Sequence, residues 1–224
     1  MNRINHIAFI MDGNGRWGLK KKRSRNHGHL AGVKVVQKIV SASIEVNIPI
    51  ISFYVFSSEN WKRPKSEIKY LFNLIGAYFK KEINNIVKNN IKINIIGRRK
   101  SLPIKIKKLL REVEKKTNKN KKLIVNLAIN YGSKNEIIDS IKKLNLESRS
   151  ITEKNIEKNL YKNLPHPDIL IRTGDKKRLS NFMLWQMAYT ELFFLKKLWP
   201  DFTKNDLNKI IKEYKKVKRN FGAV

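Results

Sequence analysis

The chain has 224 residues, carries 49 Lys and Arg against 18 Asp and Glu, and contains no cysteine. The lack of cysteine excludes disulfide bonds, thiolate metal sites and a cysteine nucleophile, and it is typical of a reducing compartment. The first apolar run, in "HIAFIMDG", has five residues before an aspartate, which is too short for a signal peptide or a membrane span. Because no stretch rich in Pro, Gly or Ser divides the chain, we expect one cytoplasmic domain over residues 1–224.

The formal net charge of +31 allows two interpretations. It would attract an anionic partner, whether phosphate, nucleic acid or an anionic lipid surface. Alternatively, the surface has drifted toward lysine, because 37 of the 49 basic residues are Lys and they are scattered among many Asn and Ile. We favour drift, and we expect no nucleic-acid partner because the chain shows no recognisable binding module. The 12 arginines are then the informative cations, since a planar guanidinium binds phosphate oxygens in pairs.

Apolar, β-rich segments alternate along the chain with amphipathic segments. Strands are predicted at 6–11, 48–57, 91–97, 123–129 and 168–172, and helices at 29–47, 66–89, 103–117, 133–144, 152–163 and from Thr203 onward. An apolar segment at 185–194 precedes the last helix. Near-continuous apolar strands separated by helices predict the α/β class, with a mainly parallel sheet covered on both faces.

Three of the predicted strands are followed by loops of similar composition. These loops read DGNGRW from Asp12, SSENWKRP from Ser57 and RTGDKKRLS from Arg172. In an open parallel sheet, ligands bind in the crevice beyond the carboxyl ends of the strands. Loops that each combine arginine with small polar residues at that edge favour a site for a polyanion over ordinary turns.

The first of these loops contains the glycine spacing of a dinucleotide-binding motif, at Gly13, Gly15 and Gly18. A dinucleotide site also needs a crossover helix opened by the third glycine and an acid about twenty residues later. No such helix is predicted directly after Gly18, and the first acid after Asp12 is Glu45. We therefore favour a diphosphate cradle, in which backbone N–H groups converge on phosphate oxygens and Asp12 holds a hard divalent cation.

Five blocks of the chain together resemble the cis-prenyltransferase family, and within it the bacterial synthases of undecaprenyl diphosphate. The blocks are HIAFIMDGNGRW, GHLAG, FSSENWKRP, LIRTGD with RLSNFMLWQMAYTEL, and the terminal RNFG. The resemblance implies a homodimeric α/β domain with a parallel six-stranded sheet. It also implies repeated addition of isopentenyl diphosphate to an allylic diphosphate such as farnesyl diphosphate, with new double bonds in cis, to make a lipid carrier for cell-wall glycans.

The resemblance also implies roles for individual residues. Asp12 and Glu191 would hold Mg²⁺ at the diphosphates, and Asn60 would accept the proton. The allylic diphosphate would be bound by Gly13, Asn14, Gly15, Arg16, Arg25 and His29. Isopentenyl diphosphate would be bound by Arg172, Arg178 and Ser180, and Trp17 and Leu179 would be further substrate-binding residues. A flexible segment over the site would contribute Ser57, Ser58, Glu59, Trp61 and Arg63.

Several alternatives stay open beside these roles. An amide is a poor base, so the leaving diphosphate could itself take the proton while Asn60 orients groups. Trp61 and Trp17 could be packing residues, and Lys177 stands where the family often has histidine. The apolar stretch at 70–79 could line a tunnel for the growing lipid or belong to an ordinary core. The competing function classes are a basic nucleic-acid-binding protein and a noncatalytic subunit of the same fold, and peripheral membrane contact is a further hypothesis.

Overall fold

Six parallel strands form the centre of the structure, a computed structural model that describes residues 2–219. The strands are β1 (His6–Ile10), β2 (Ile50–Ser57), β3 (Ile91–Ile96), β4 (Leu123–Tyr131), β5 (Ile169–Arg172) and β6 (Glu191–Phe194). Their order across the sheet is β3-β4-β2-β1-β5-β6, and each neighbouring pair is parallel. The predicted α/β class with a mainly parallel, six-stranded sheet is confirmed.

Helices connect the strands and cover both faces of the sheet. The helices are α1 (Asn14–Lys20), α2 (Arg25–Glu45), α3 (Lys65–Lys88), α4 (Ile104–Thr117), α5 (Ser133–Leu146), α6 (Glu153–Asn159) and α7 (Lys204–Tyr214). Two short 3₁₀ turns lie at Ser58–Lys62 and Trp199–Asp201. Within residues 2–219, no helix has the length and apolar character that a membrane crossing requires.

The largest differences between the sequence-based boundaries and the structure lie in four places. Helix α1 was not predicted, because seven residues rich in glycine show no apolar period. Helix α2 begins at Arg25 and not at His29, because Ser24 caps it by accepting a hydrogen bond from the His27 amide at 3.2 Å. Helix α6 ends at Asn159, short of the predicted 163. The apolar segment at 185–194 contains the sixth strand.

The core explains why the central strands are continuously apolar. Phe9 and Phe53 stack on one face of the sheet at 5.0 Å between ring centroids, and Trp199 meets both rings edge-on. Helices α2, α3, α4 and α7 cover this face, and their buried side chains join the same cluster. On the other face, Ala8 and Phe182 belong to a second buried cluster. Each fully buried side chain of this kind stabilises the fold by roughly 1.5–3 kcal/mol.

A row of buried, hydrogen-bonded polar side chains crosses four strands on that second face. His6 Nδ1 bonds the Pro165 carbonyl at 2.6 Å and Nε2 bonds Ser52 Oγ at 2.6 Å. Asn126 donates to Ser52 Oγ at 2.9 Å, and Asn94 donates to Asn126 Oδ1 at 2.9 Å. Burial lowers the pKa of His6 to about 4. These hydrogen bonds are consistent with a neutral His6 imidazole that donates from Nδ1 and accepts at Nε2.

The topology brings three loops to one edge of the sheet. Strands β2, β1 and β5 are neighbours that run in the same direction, so their carboxyl ends meet. Asp12 follows β1, Ser57 ends β2 and Arg172 ends β5. Of the terminal block RNFG, Arg219 is described, whereas residues 220–222 lie outside the described part of the chain.

Candidate active site

An open cleft of about 840 Å³ lies at the carboxyl edge of β1, β2 and β5. Fourteen of the nineteen site residues predicted from the sequence line this cleft, so the predicted loops meet at one place. They are Asp12, Gly13, Asn14, Gly15, Arg16, Arg25, His29, Ser57, Glu59, Asn60, Arg63, Arg172, Arg178 and Ser180. The cleft is therefore rich in arginine and in backbone close to glycine, as a site for phosphate groups requires.

The carboxylate of Asp12 is held between two arginines. Its Oδ1 accepts a hydrogen bond from Arg16 Nη2 at 3.0 Å, and its Oδ2 accepts one from Arg172 Nη2 at 2.9 Å. Thr173 Oγ1 donates to the Asp12 carbonyl at 2.8 Å, which fixes the backbone at the end of β1. Asp12 thus presents a partly exposed carboxylate whose position is set by neighbouring cations.

Arg172 is the most buried cation of the cleft, since its side chain is 3 % exposed. Its Nη1 donates to the Arg178 carbonyl at 2.5 Å and to Ser180 Oγ at 2.7 Å, so one guanidinium orders the loop that follows β5. Its Nε is buried and has no acceptor among residues 2–219. A buried charge with a spare donor fits an anionic ligand at this position.

The glycine-rich loop forms the first turn of α1. Gly13 adopts a φ of 108° directly before the helix, a left-handed conformation that favours glycine. The first intrahelical bond runs from Trp17 N to Gly13 O, so the amides of Asn14 to Arg16 precede it and are free to bind an anion. A side chain at Gly15 would lie 2.7 Å from Arg25 Cζ, so glycine lets that guanidinium cover the loop.

Glu67 joins two arginines and a histidine of the cleft and was not predicted from the sequence. It accepts hydrogen bonds from Arg25 Nε at 3.1 Å and Nη2 at 3.3 Å, and from Arg63 Nη1 at 3.1 Å. His29 Nε2 lies 3.2 Å from the same carboxylate. Burial alone would raise the pKa of Glu67, but the hydrogen bond and charge of Arg25, with the charge of Arg63, lower it. Burial lowers the pKa of His29.

The 3₁₀ turn at Ser58–Lys62 places Asn60 on the cleft wall. Asn60 Oδ1 accepts a hydrogen bond from the Ser57 amide at 3.1 Å. The Ser57 side chain in turn accepts one from the Asn60 amide, and the two bonds form a capping box. Glu59 accepts a hydrogen bond from Asn181 Nδ2 at 2.9 Å, which ties the turn to the loop after β5. The amide of Asn60 is therefore held by the turn itself.

Four predicted residues lie near the cleft without lining it. Trp61 donates to Asn130 Oδ1 at 2.7 Å and packs edge-on against Phe56, which supports its packing interpretation. Trp17 donates to Asp201 Oδ1 at 2.7 Å and stacks on a histidine ring. Leu179 packs against the second core cluster, and Ser58 starts the 3₁₀ turn. The exposed Lys177, which occupies the family's histidine position, also lies outside the cleft lining.

The structure does not bring Glu191 to Asp12. Glu191 is in register with Ile169 at the amino end of β5, whereas Ile10 is in register with Arg172 at its carboxyl end. At about 3.3 Å per residue, the backbone at Glu191 lies roughly 10 Å from the carboxyl end of the sheet, beyond which Asp12 is placed. Within one chain, Glu191 therefore cannot share a metal ion with Asp12.

An apolar pocket of about 120 Å³ continues the cleft between α2, α3 and the sheet. Asn14, His29 and Leu71 line both, so they mark the junction between polar and apolar surroundings. The predicted apolar stretch of α3 supplies one wall, through Leu71, Leu74, Ile75, Tyr78 and Phe79. A further groove of about 260 Å³ shares Tyr78 and Phe79 with this pocket and extends to the carboxyl ends of α2 and α3. The fold and site thus define an α/β protein built for an amphiphilic ligand with a polyanionic head.

Comparison with known proteins gives the family. The family model described as "Putative undecaprenyl diphosphate synthase" matches residues 10–222. The isoprenyl transferase of Fusobacterium nucleatum is 41 % identical over 98 % of this chain and 96 % of its own length, and that of Halalkalibacterium halodurans is 43 % identical over 98 % and 89 %. The chain belongs to the undecaprenyl diphosphate synthase family of cis-prenyltransferases.

Solved structures agree with this membership. A probable undecaprenyl diphosphate synthase from Campylobacter jejuni has a TM-score of 0.87 at 38 % identity, and the match covers 99 % of this chain and 100 % of that one. Lavandulyl diphosphate synthase from Lavandula x intermedia, solved with dimethylallyl diphosphate, has a TM-score of 0.93 at 29 % identity, with 98 % of each chain covered.

Proposed function

We propose that the protein condenses isopentenyl diphosphate units onto an allylic diphosphate, with farnesyl diphosphate as the primer. The product is a long-chain polyprenyl diphosphate, namely undecaprenyl diphosphate for the cell-wall lipid carrier. The observation that carries the proposal is the continuity of the arginine-rich cleft with the apolar pocket through Asn14, His29 and Leu71. One molecule with a diphosphate head and an isoprenoid tail would occupy both.

The allylic diphosphate is assigned to the side of the cleft next to the apolar pocket. There the amides at the start of α1, with Arg16, Arg25 and His29, surround the position of the leaving group. Donors that are already oriented stabilise the negative charge that develops as the allylic C–O bond breaks. The isoprenoid tail follows the wall formed by Ile75 and Tyr78 of α3.

Isopentenyl diphosphate is assigned to the other side, at Arg172, Arg178 and Ser180. Arg172 is fixed by Asp12 and by Ser180, so its guanidinium is oriented before a ligand arrives. In the reaction, the terminal alkene carbon of isopentenyl diphosphate forms the new bond to the allylic carbon. Pyrophosphate leaves, and positive charge develops on the methyl-bearing alkene carbon. One proton is then lost from the methylene carbon on its other side, and the new double bond forms between these two carbons.

Mg²⁺ is proposed to bind at Asp12 together with diphosphate oxygens. Among residues 2–219, no group of three His, Cys, Asp or Glu side chains could hold a metal ion by itself. A single carboxylate with substrate phosphates is an ordinary magnesium environment, so Asp12 fits this role. When bound, the ion would neutralise charge on the leaving group. A contribution from Glu191 would require a second copy of the chain, because its own chain places it too far away.

Asn60 is proposed to orient the reacting groups during proton loss. Its Oδ1 is already engaged by the Ser57 amide, and an amide is a poor base. The leaving diphosphate is therefore the better acceptor for the proton. This proposal keeps Asn60 essential for rate and assigns the proton to the product pyrophosphate.

A homodimer and a peripheral site at the inner face of the membrane are also proposed. Ile138 and Leu146 of α5 and Leu192 of the edge strand β6 are large apolar residues exposed on the surface, and such residues are commonly covered in an oligomer. The charge of +31 favours an anionic surface, where the lipid product belongs. Light scattering tests the first proposal. Co-sedimentation with liposomes, which should increase with the fraction of anionic lipid, tests the second.

Competition between two ligands tests the proposed function. Farnesyl diphosphate and inorganic pyrophosphate should displace each other, because they share the cleft. Farnesyl diphosphate should bind more tightly by at least tenfold, since its tail buries apolar surface in the adjoining pocket. Equal affinity would show that the apolar pocket does not receive the tail. Binding of neither ligand, together with binding of a nucleic acid, would instead favour the nucleic-acid-binding class.

A further inference from the structure

The carboxylate of Glu67 holds two arginines and a histidine of the cleft but does not itself line the cleft. Glu67 is 8 % exposed, and it lies behind Arg25, His29 and Arg63, each of which reaches the cleft. The three side chains come from two parts of the chain, since Arg25 and His29 belong to α2 and Arg63 precedes α3. One buried anion therefore contacts the same side chains to which the proposed substrate would present its negative charge.

The contacts of Glu67 are long for charged hydrogen bonds. They measure 3.1–3.3 Å. One oxygen, Oε1, is shared by Arg25 Nη2, Arg63 Nη1 and His29 Nε2. Charge-assisted bonds are usually about 2.7–2.9 Å. The fork between Arg98 and Asp139, outside the cleft lining, has that geometry or closer, at 2.7 and 2.6 Å. The Glu67 contacts are thus shared and loose compared with a structural ion pair of the same protein.

The donors that Glu67 occupies are donors that a diphosphate would need. Arg25 directs both Nε and Nη2 to Glu67, which uses one edge of its guanidinium. Arg63 directs Nη1 to the same carboxylate. A phosphate oxygen can accept hydrogen bonds from these N–H groups only if it displaces the Glu67 carboxylate or binds beside it. In either case the charge of Glu67 opposes the binding of another anion.

We propose that Glu67 is a built-in counter-anion that competes with diphosphate for Arg25, His29 and Arg63. It lowers the affinity of the cleft for diphosphate, so that pyrophosphate leaves after each addition and the elongated chain can re-enter. Glu67 is a positioning residue, because it acts through Arg25, Arg63 and His29. The proposal takes the identity of the substrate from the proposed function, whereas the competition itself concerns any diphosphate.

The test compares Glu67→Gln with a matched control, Glu112→Gln. Both variants remove one negative charge with little change of shape, and Glu112 is paired with Lys116 on the exposed surface of α4. The probe is inorganic pyrophosphate, titrated calorimetrically in Mg²⁺. Glu67→Gln should bind pyrophosphate about 3- to 10-fold more tightly, as expected for removing a unit charge a few ångströms from a surface site. Glu112→Gln should stay within about twofold of the unchanged protein.

Steady-state kinetics provides a second readout. Glu67→Gln should lower both the KM for farnesyl diphosphate and kcat, and pyrophosphate should inhibit it more strongly. A role only in supporting the fold would loosen Arg25 and Arg63, and pyrophosphate would bind more weakly. Weaker or unchanged pyrophosphate binding by a folded Glu67→Gln overturns the proposal. If that variant does not fold, Glu67→Asp should show a smaller tightening, and its absence would overturn the proposal as well.

The proposed function and the counter-anion role of Glu67 can be contradicted independently of each other. An unchanged protein that binds pyrophosphate but does not incorporate isopentenyl diphosphate would contradict the proposed function. The affinities of Glu67→Gln and Glu112→Gln for pyrophosphate would still decide the competition. Normal incorporation with no tightening in Glu67→Gln would contradict the counter-anion alone.

Discussion

Arg172 Nη2 donates a hydrogen bond to Asp12 Oδ2 at 2.9 Å and thereby joins the end of β5 to the end of β1. The same guanidinium reaches the Arg178 carbonyl and Ser180 Oγ from Nη1. One buried cation therefore aligns the carboxylate proposed for Mg²⁺ with the loop proposed for isopentenyl diphosphate. The two halves of the cleft depend on each other through this contact.

Arg172→Lys should lower kcat/KM for isopentenyl diphosphate by about 100-fold or more, equivalent to about 2.7 kcal/mol. Lysine keeps the charge but cannot contact Asp12, Arg178 and Ser180 at once, because it lacks the planar fork. The control is Arg98→Lys, which breaks the fork to Asp139 outside the cleft lining. That control should lose thermal stability with kcat/KM kept. An Arg172→Lys enzyme with normal kcat/KM would contradict the role of the fork.

Asn60→Ala should lower kcat by about 100-fold while the affinity for both diphosphates changes little. The reason is that Asn60 is proposed to orient groups during proton loss, whereas Arg16, Arg25 and Arg172 provide most of the binding. Single-turnover kinetics separates the chemical step from binding. An unchanged rate would remove Asn60 from the mechanism.

Phe79→Ala should lengthen the product. Phe79 lies where the apolar pocket meets the groove that continues along α2 and α3, so its removal connects the two spaces. Because Phe79 is buried, the change should also destabilise the fold by about 3–5 kcal/mol. Val36→Phe fills the same junction from α2 and should shorten the product. Chromatography of the extracted lipids measures chain length, and an identical product from both variants would contradict the assigned tail path.

The stability of the fold should fall as the pH is lowered from 7 to 5. Burial lowers the pKa of His6 to about 4 from its ordinary value of 6.5, so the unfolded state binds more protons in this range. The contribution of His6 to the free energy of unfolding is present at pH 7. At pH 5 it is smaller by about 2 kcal/mol. Denaturant titrations at the two pH values measure the loss. His6→Gln should show a smaller loss, and an equal loss would assign the effect to other groups.

The sequence predicted the sheet and the convergence of three strand-end loops because both depend on local patterns. Continuous apolar strands predicted a parallel sheet, and the loops after β1, β2 and β5 converge because parallel neighbours share one carboxyl edge. The amphipathic stretch of α3 was recognisable as an apolar surface, although only the fold shows that Leu71 and Phe79 line a pocket.

Other features could not be read from local patterns. Helix α1 is too short and too rich in glycine to show a period. Glu67 pairs with Arg25 and His29 across two helices, and its only local signal is the four-residue spacing from Arg63. Glu191 sits in a matching motif block, yet strand register places it at the other end of the sheet. In each case the missing information is a long-range contact.

Incorporation of labelled isopentenyl diphosphate into butanol-extractable lipid tests the central claim most directly. The assay contains farnesyl diphosphate and Mg²⁺ and compares the unchanged protein with Asp12→Ala and with the surface control Glu112→Gln. We expect incorporation by the unchanged protein and by Glu112→Gln, with loss of at least about 100-fold in Asp12→Ala or after addition of a chelator. Absence of incorporation by the folded, unchanged protein would contradict the account and favour a noncatalytic subunit of the same fold.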